Sequence, residues 1–207
     1  AYGNAREMAF SYIQLDGVWL VQNKDDLNVP NYGTPTVYRR TSMTYTSYPS
    51  LHILGLPLTS TTYAGPGTTF MAKTENVYDE TGSYTDSNSQ TAQLFINAGT
   101  TVQHDDTNYG SGFYTRGNLT SMKQYSTNGT STRIVSRTAF DTNGLPRSTA
   151  DASGNRATID YADNFSNKPS GLGALNALPY LMADPFGMKK GAQYEYYTGH
   201  PILTFAQ

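Results

Sequence analysis

The chain has 207 residues, no cysteine, a formal net charge of −2 and only 14% charged residues. That length suits one or two domains, and the near-neutral charge excludes electrostatic steering toward nucleic acid or an acidic membrane. The missing cysteines exclude a disulfide framework, a thiolate zinc site and a cysteine nucleophile. No apolar run reaches the length of a transmembrane helix.

Seventeen tyrosines and eight phenylalanines accompany a single tryptophan, Trp19. β-branched and aromatic side chains suit a pleated surface, while Gly and Asn suit tight turns, so strands and turns are expected over helices. A surface rich in Thr, Asn and Tyr but poor in Lys points outside the cell or to its surface. The opening Ala1-Tyr2-Gly3-Asn4 has no initiator Met or signal peptide and reads as a processed or excised piece.

In chain order, strand patterns at 9–15 and 18–21 flank Asp16-Gly17, a tight-hairpin signal. Residues 23–35 read as a polar loop. From Val37 to Tyr48 the pattern alternates, with Val37, Met43 and Tyr45 on one face and Tyr38, Arg40 and Thr44 on the other. Strands follow at 51–62 and 69–78 around the turn Ala64-Gly65-Pro66-Gly67. Residues 85–112 read as an irregular insertion. Asn128-Gly129 predicts a hairpin between strands ending near Tyr125 and starting at Thr132. Further strands are predicted at 145–150, 157–161, 180–183, 189–197 and 202–205, with a connection at 164–178 that has room for one helical turn. The domain reading is an N-terminal hairpin region, 1–50, then a repeat region, 51–207.

A short phrase recurs along this second region. It reads Tyr78-Asp79-Glu80-Thr81-Gly82, then Phe140-Asp141-Thr142-Asn143-Gly144, then the echo Asp151-Ala152-Ser153-Gly154. Tyr161 stands seven residues past Gly154, and Tyr194 stands seven past Gly187 of Asp184-Pro185-Phe186-Gly187. Asp folds its carboxylate onto backbone N–H groups ahead of it and opens a turn. Gly supplies the positive φ that closes it, and the aromatic packs across the sheet. Such units complete one another's core only by stacking.

These phrases, together with Leu54-Gly55-Leu56-Pro57, Arg116-Gly117-Asn118-Leu119-Thr120-Ser121 and Tyr194-x-Tyr196 leading to Gly199-His200-Pro201, resemble the YD repeats of Rhs-family proteins. The resemblance implies a strip of β-hairpins that winds, in complete members, into a hollow shell around a toxic cargo. Neither an autoproteolysis signature nor a C-terminal toxin domain is seen, so this length suits only part of a shell.

Other candidate chemistry is sparse. His104-Asp105-Asp106 is the nearest approach to a metal or acid–base cluster, with His52 and His200 remote in sequence; it and Asp25-Asp26 read as solvated loops. Arg39-Arg40 and Lys189-Lys190 are isolated basic pairs. Asn118, Asn128 and Asn164 head N-x-Ser/Thr sequons and are candidate glycosylation sites. The expected fold is all-β, successive antiparallel β-hairpins in a strip or partial shell with little helix. The expected role is structural: a shell wall or a head-to-tail fibre, with no cofactor. Its partners would be copies of itself or the rest of a parent chain, joined through strand edges. A carbohydrate-binding or adhesive module, using surface tyrosines, is the alternative.

Overall fold

The computed structural model describes residues 5–29, 33–67, 69–102, 104–125 and 131–206. The strands are β1 (Ala5–Leu15), β2 (Val18–Val29), β3 (Thr36–Tyr48), β4 (Ile53–Ala64), β5 (Thr69–Tyr78), β6 (Ser83–Thr85), β7 (Thr91–Gln93) and β8 (Phe95–Ile96). After the single-turn α1 (Asp106–Tyr109) come β9 (Leu119–Tyr125), β10 (Thr132–Asp141), β11 (Pro146–Asp151) and β12 (Arg156–Asp160). The last are β13 (Phe165–Ser166), β14 (Leu181–Ala183), β15 (Lys189–Glu195) and β16 (Pro201–Ala206). The chain is mostly antiparallel β, with one long sheet of consecutive hairpins. Hydrogen-bonded order follows the sequence, β1-β2-β3-β4-β5-β9-β10-β11-β12-β14-β15, because short turns make chain neighbours into sheet neighbours. Only β8 on β10 and β13 on β15 pair in parallel among the described registers.

The chain divides into two compact units, 1–77 with 122–135 and 78–121 with 136–207. The boundary read at 50/51 falls inside a 3-10 turn (Pro49–Leu51) of the first unit.

Asp16-Gly17 forms the hairpin the sequence predicts. Both residues have positive φ, 49° and 83°, and Leu15 pairs with Val18 across the two-residue turn. Within the polar run read as a loop at 23–35, residues 23–29 are strand: β2 continues to Val29. The reason lies across the ladder. Asp25 pairs with Arg40 and Asp26 with Arg39 on β3, so each carboxylate meets a guanidinium. Arg40 donates to both Asp25 oxygens, each at 2.7 Å, and Arg39 lies 2.5 Å from Asp26 Oδ2. Adjacent strand residues face opposite ways, so one ion pair fastens each face. The acidic and basic doublets, isolated in sequence, neutralise each other in register.

Among the described residues of the first unit, the buried ones are Asp26 and Thr61, and none is hydrophobic. Polar cross-strand contacts stand in for a core. Thr44 meets Thr59 at 2.6 Å, and the Tyr45 hydroxyl donates to the Val21 carbonyl at 2.7 Å. Glu75 gathers the Tyr125 hydroxyl at 2.6 Å with Lys73 and Lys123 at 3.3 and 3.4 Å.

The second unit does have a small apolar cluster, Tyr84, Ala92, Leu94 and Ala150. Two of these four, Ala92 and Leu94, lie in the stretch read as an irregular insertion, and Tyr84 stands just before it. That stretch folds as the hairpin β6–β7, adds β8 beside β10, and slides its apolar side chains under the repeats. The connection at 164–178 holds β13 and no helix. Gly191 lies opposite Phe205, whose ring would sit 2.3 Å from a Cβ there, so the aromatic covers the glycine.

The ion pairs of the first unit make its folding acid-sensitive. The Arg40 hydrogen bonds, against some burial, hold Asp25 below its ordinary value. Burial pushes Asp26 up but is outweighed by Arg39 and Lys24. The Tyr125 hydroxyl, with Lys73 and Lys123, lowers Glu75 against burial. Depressed carboxylates contribute stability that is present above their unfolded values, about pH 4, and lost as pH falls through the lower folded ones. In a residue-resolved NMR titration from pH 7 to pH 2, β2–β3 and β5–β9 resonances should collapse only below about pH 4. A spectrum unchanged to pH 2 contradicts this.

Candidate functional site: aspartate-closed turns and a free strand edge

Three of the predicted repeat turns share one geometry. Asp141 Oδ1 accepts from the backbone N–H of Asn143 at 2.9 Å and of Leu145 at 3.0 Å. Asp151 Oδ1 holds Ser153 and Asn155 at 2.8 and 3.0 Å, and Asp184 Oδ1 holds Phe186 and Met188, both at 2.9 Å. In each, the residue three places on donates to the Asp carbonyl, and the Asp N–H donates to the carbonyl four places on. The closing residues Gly144, Gly154 and Gly187 have φ of 78°, 84° and 89°. One carboxylate oxygen thus saturates two amides that would otherwise face solvent in a five-residue loop.

A fourth copy escaped the sequence reading. Asp86 Oδ1 holds the N–H groups of Asn88 at 3.0 Å and Gln90 at 2.9 Å, and Ser89 donates to the Asp86 carbonyl. Ser89 occupies the glycine place with φ 62°. The signal was present as Asp86-x-Asn88-Ser89, the spacing of Asp141-x-Asn143-Gly144 with Ser for Gly. A fifth turn is one residue longer and uses Glu195, whose Oε2 accepts from the Thr198 N–H and hydroxyl while Gly199 closes at φ 69°.

Asp79 departs from the pattern. It has φ 56° itself, Gly82 does not adopt a positive φ, and the Asp79 carboxylate reaches Gly117 and Asn118 N–H groups at 2.9 Å each. The phrase from Tyr78 to Gly82 is therefore a splice and not a hairpin turn. β6 follows it directly and pairs with β7, so no return strand exists to close a turn. The carboxylate anchors the turn that feeds β9 instead.

The second carboxylate oxygens tie turns to arginines. Asp141, fully buried, has Arg147 at 3.4 Å, and Asp86 has Arg156 Nε at 2.8 Å. Asp151 uses Asn155 Nδ2 at 2.8 Å. The Gln90 N–H, with Arg156 and against burial, holds Asp86 below its ordinary value, and the Asn155 amide does the same for Asp151. Turns also stack: the Ser87 N–H donates to the Gly154 carbonyl at 3.0 Å.

The repeat aromatics pack inside the second unit. Tyr161 is buried with the Arg147 guanidinium 5.7 Å from its ring, and Phe140 pairs with Phe95. The Tyr194 hydroxyl donates to the Pro179 carbonyl at 2.9 Å, while Phe165 lies 6.3 Å from Tyr194 and 5.9 Å from Tyr196, centroid to centroid.

No family model matches the chain, and no curated protein matches it. His104 Nδ1 lies 2.7 Å from Asp106 Oδ1, and Asp105 caps α1 by accepting the Asn108 N–H at 3.1 Å. Among the described residues, no three His, Asp or Glu side chains gather as metal ligands. A cleft of about 480 Å³ on the second unit has Ile159, Met182, Met188, Ala206 and Lys190 among its lining residues.

Of the sequons, Asn128 lies outside the described residues. Asn118 is half-buried, and the Thr120 of its sequon is buried, its hydroxyl donating to Glu80 at 2.9 Å. Asn164 Nδ2, the atom a glycan would need, donates to the Ala192 carbonyl at 3.0 Å.

The remaining feature is a free edge. Among the described residues β1 pairs with β2 alone. Met8, Phe10 and Tyr12 alternate along it, and Trp19 lies across from Gln14; the four are 61%, 49%, 56% and 67% exposed.

If one loop geometry underlies all four aspartate turns, Ser89→Gly relieves backbone strain and should raise stability by about 0.5–1 kcal/mol. Gly154→Ser should lower it by more than about 1 kcal/mol, because its Cβ would also meet the Ser87 nitrogen at 3.0 Å. Urea unfolding of both variants checks this. Equal midpoints for Ser89→Gly and the parent would mean that Ser89 carries no strain.

Proposed function

We propose that the chain is an architectural β-repeat segment of YD-repeat character, working outside the cell or at its surface as one section of a β wall. The wall belongs either to a shell or to an assembled fibre. The observation that carries this reading is the first unit, whose sheet of long hairpins buries no apolar side chain among its described residues. Burying one Leu or Phe contributes about 1.5–3 kcal/mol, whereas an exposed ion pair contributes about 0.2–1 kcal/mol. Such a sheet suits a wall completed by neighbouring β-structure better than a free-standing domain. The recurrent aspartate turns support the same reading, since they set hairpin after hairpin without a deep core. The phrases shared with Rhs-family repeats give the type of wall.

Hydrogen–deuterium exchange of the dilute, isolated chain tests the proposal. Amides of β3–β5 should exchange at least tenfold faster than those of β10–β12, which flank the apolar cluster. Equal, strong protection of both sets in a dilute monomer would mean that the first unit stands alone, and the wall reading would fail.

A further inference from the structure

Resting on the wall reading, we propose that the free edge of β1 pairs with β1 of a second copy, antiparallel and about a two-fold axis, and that β16 is not a pairing edge.

The two outer strands are built differently. In the β1–β2 ladder, Ser11 pairs with Asn23 and Tyr12 with Val21, so the extra residue, Gln22, belongs to β2. The bulge is kept off the outer strand, and β1 runs unbroken for eleven residues. In the β15–β16 ladder, Gln193 pairs with Leu203 and Tyr194 with Pro201, so the extra residue, Ile202, belongs to the outer strand. β16 has six residues, begins with a proline that lacks an N–H, and is bulged beside it. Proline, a bulge and shortness are the devices by which edges avoid pairing. β16 carries all three, whereas β1 has no proline and keeps its bulge on the partner strand.

The chemistry of β1 favours its own copy as occupant. An antiparallel pairing centred on Phe10 places Met8 opposite Tyr12 and Phe10 opposite Phe10. The exposed stripe on one face then becomes a continuous sulfur–aromatic and aromatic–aromatic ladder. Arg6 falls opposite Gln14 and Glu7 opposite Ile13, so no like charges meet. Lengths match by identity. A head-to-tail union of β1 with β16 would leave about half of β1 unpaired and set a bulge and a proline in the ladder. Isologous pairing closes on itself, so β1 pairing alone yields dimers and not filaments.

The natural chain has no cysteine, so single-cysteine variants report the geometry directly. Directly opposed residues in an antiparallel pair have Cβ atoms about 4.5–5.5 Å apart, close to disulfide reach. Under mild oxidation, Phe10→Cys should cross-link into dimers at least tenfold faster than Leu203→Cys. Sedimentation of the unmodified chain should give twice the 22.7 kDa monomer mass, and Tyr12→Lys should return it to monomer with an unchanged circular dichroism spectrum. Cross-linking at Leu203 as fast as at Phe10, filaments that persist in Tyr12→Lys, or a monomer at every concentration would each overturn the proposal. None of these outcomes alters the exchange contrast between the two units, so a failed β1 pairing is distinguishable from a failed wall reading.

Discussion

One hydrogen-bonding device organises the second unit: an aspartate oxygen that accepts two backbone N–H groups, two and four residues ahead. In a hairpin loop of five residues those amides have no strand partner and would otherwise turn to water, and an intramolecular hydrogen bond in place of water contributes about 0.5–1.5 kcal/mol. The carboxylate at Asp86, Asp141, Asp151 and Asp184 supplies those bonds while its own backbone closes the loop ends. The glycine, or Ser89 in its place, follows from the positive φ the loop demands. Because the loop length is constant, register passes from one hairpin to the next without a deep core to enforce it.

The two units solve stability differently. The second uses stacked turns, arginines bridging to Asp86 and Asp141, and a small apolar cluster of Tyr84, Ala92, Leu94 and Ala150. The first relies on cross-strand polar pairs, with Asp25–Arg40 on one face and Asp26–Arg39 on the other. Salt bridges of this kind specify register more than they stabilise, since each guanidinium must meet its carboxylate across the ladder. A sheet so specified buries no apolar side chain among its described residues.

Local chemistry was legible in the sequence wherever it acts within a few residues. The hairpin at Asp16-Gly17, the loops at Asp141, Asp151 and Asp184, and strand limits such as 69–78 are all written in adjacent residues. What was hidden depends on partners far along the chain. Residues 23–29 look like a loop until Arg39 and Arg40 are brought opposite Asp26 and Asp25. Asp79 looks like its relatives until the strand after it turns away, leaving its carboxylate to Gly117 and Asn118. Asp86 was hidden because Ser89 replaces the glycine that marks the phrase. The asymmetry of the two outer strands lies in single extra residues, Gln22 and Ile202, whose placement only the ladder registers reveal.

These aspartate oxygens hold the turn amides as firmly as a strand partner would. Residue-resolved amide exchange at neutral pH, read at Gln90, Leu145, Asn155 and Met188, measures that hold. All four should exchange on the timescale of the paired strand amides beside them. Exchange at the rate of open loops in any three of them would contradict it.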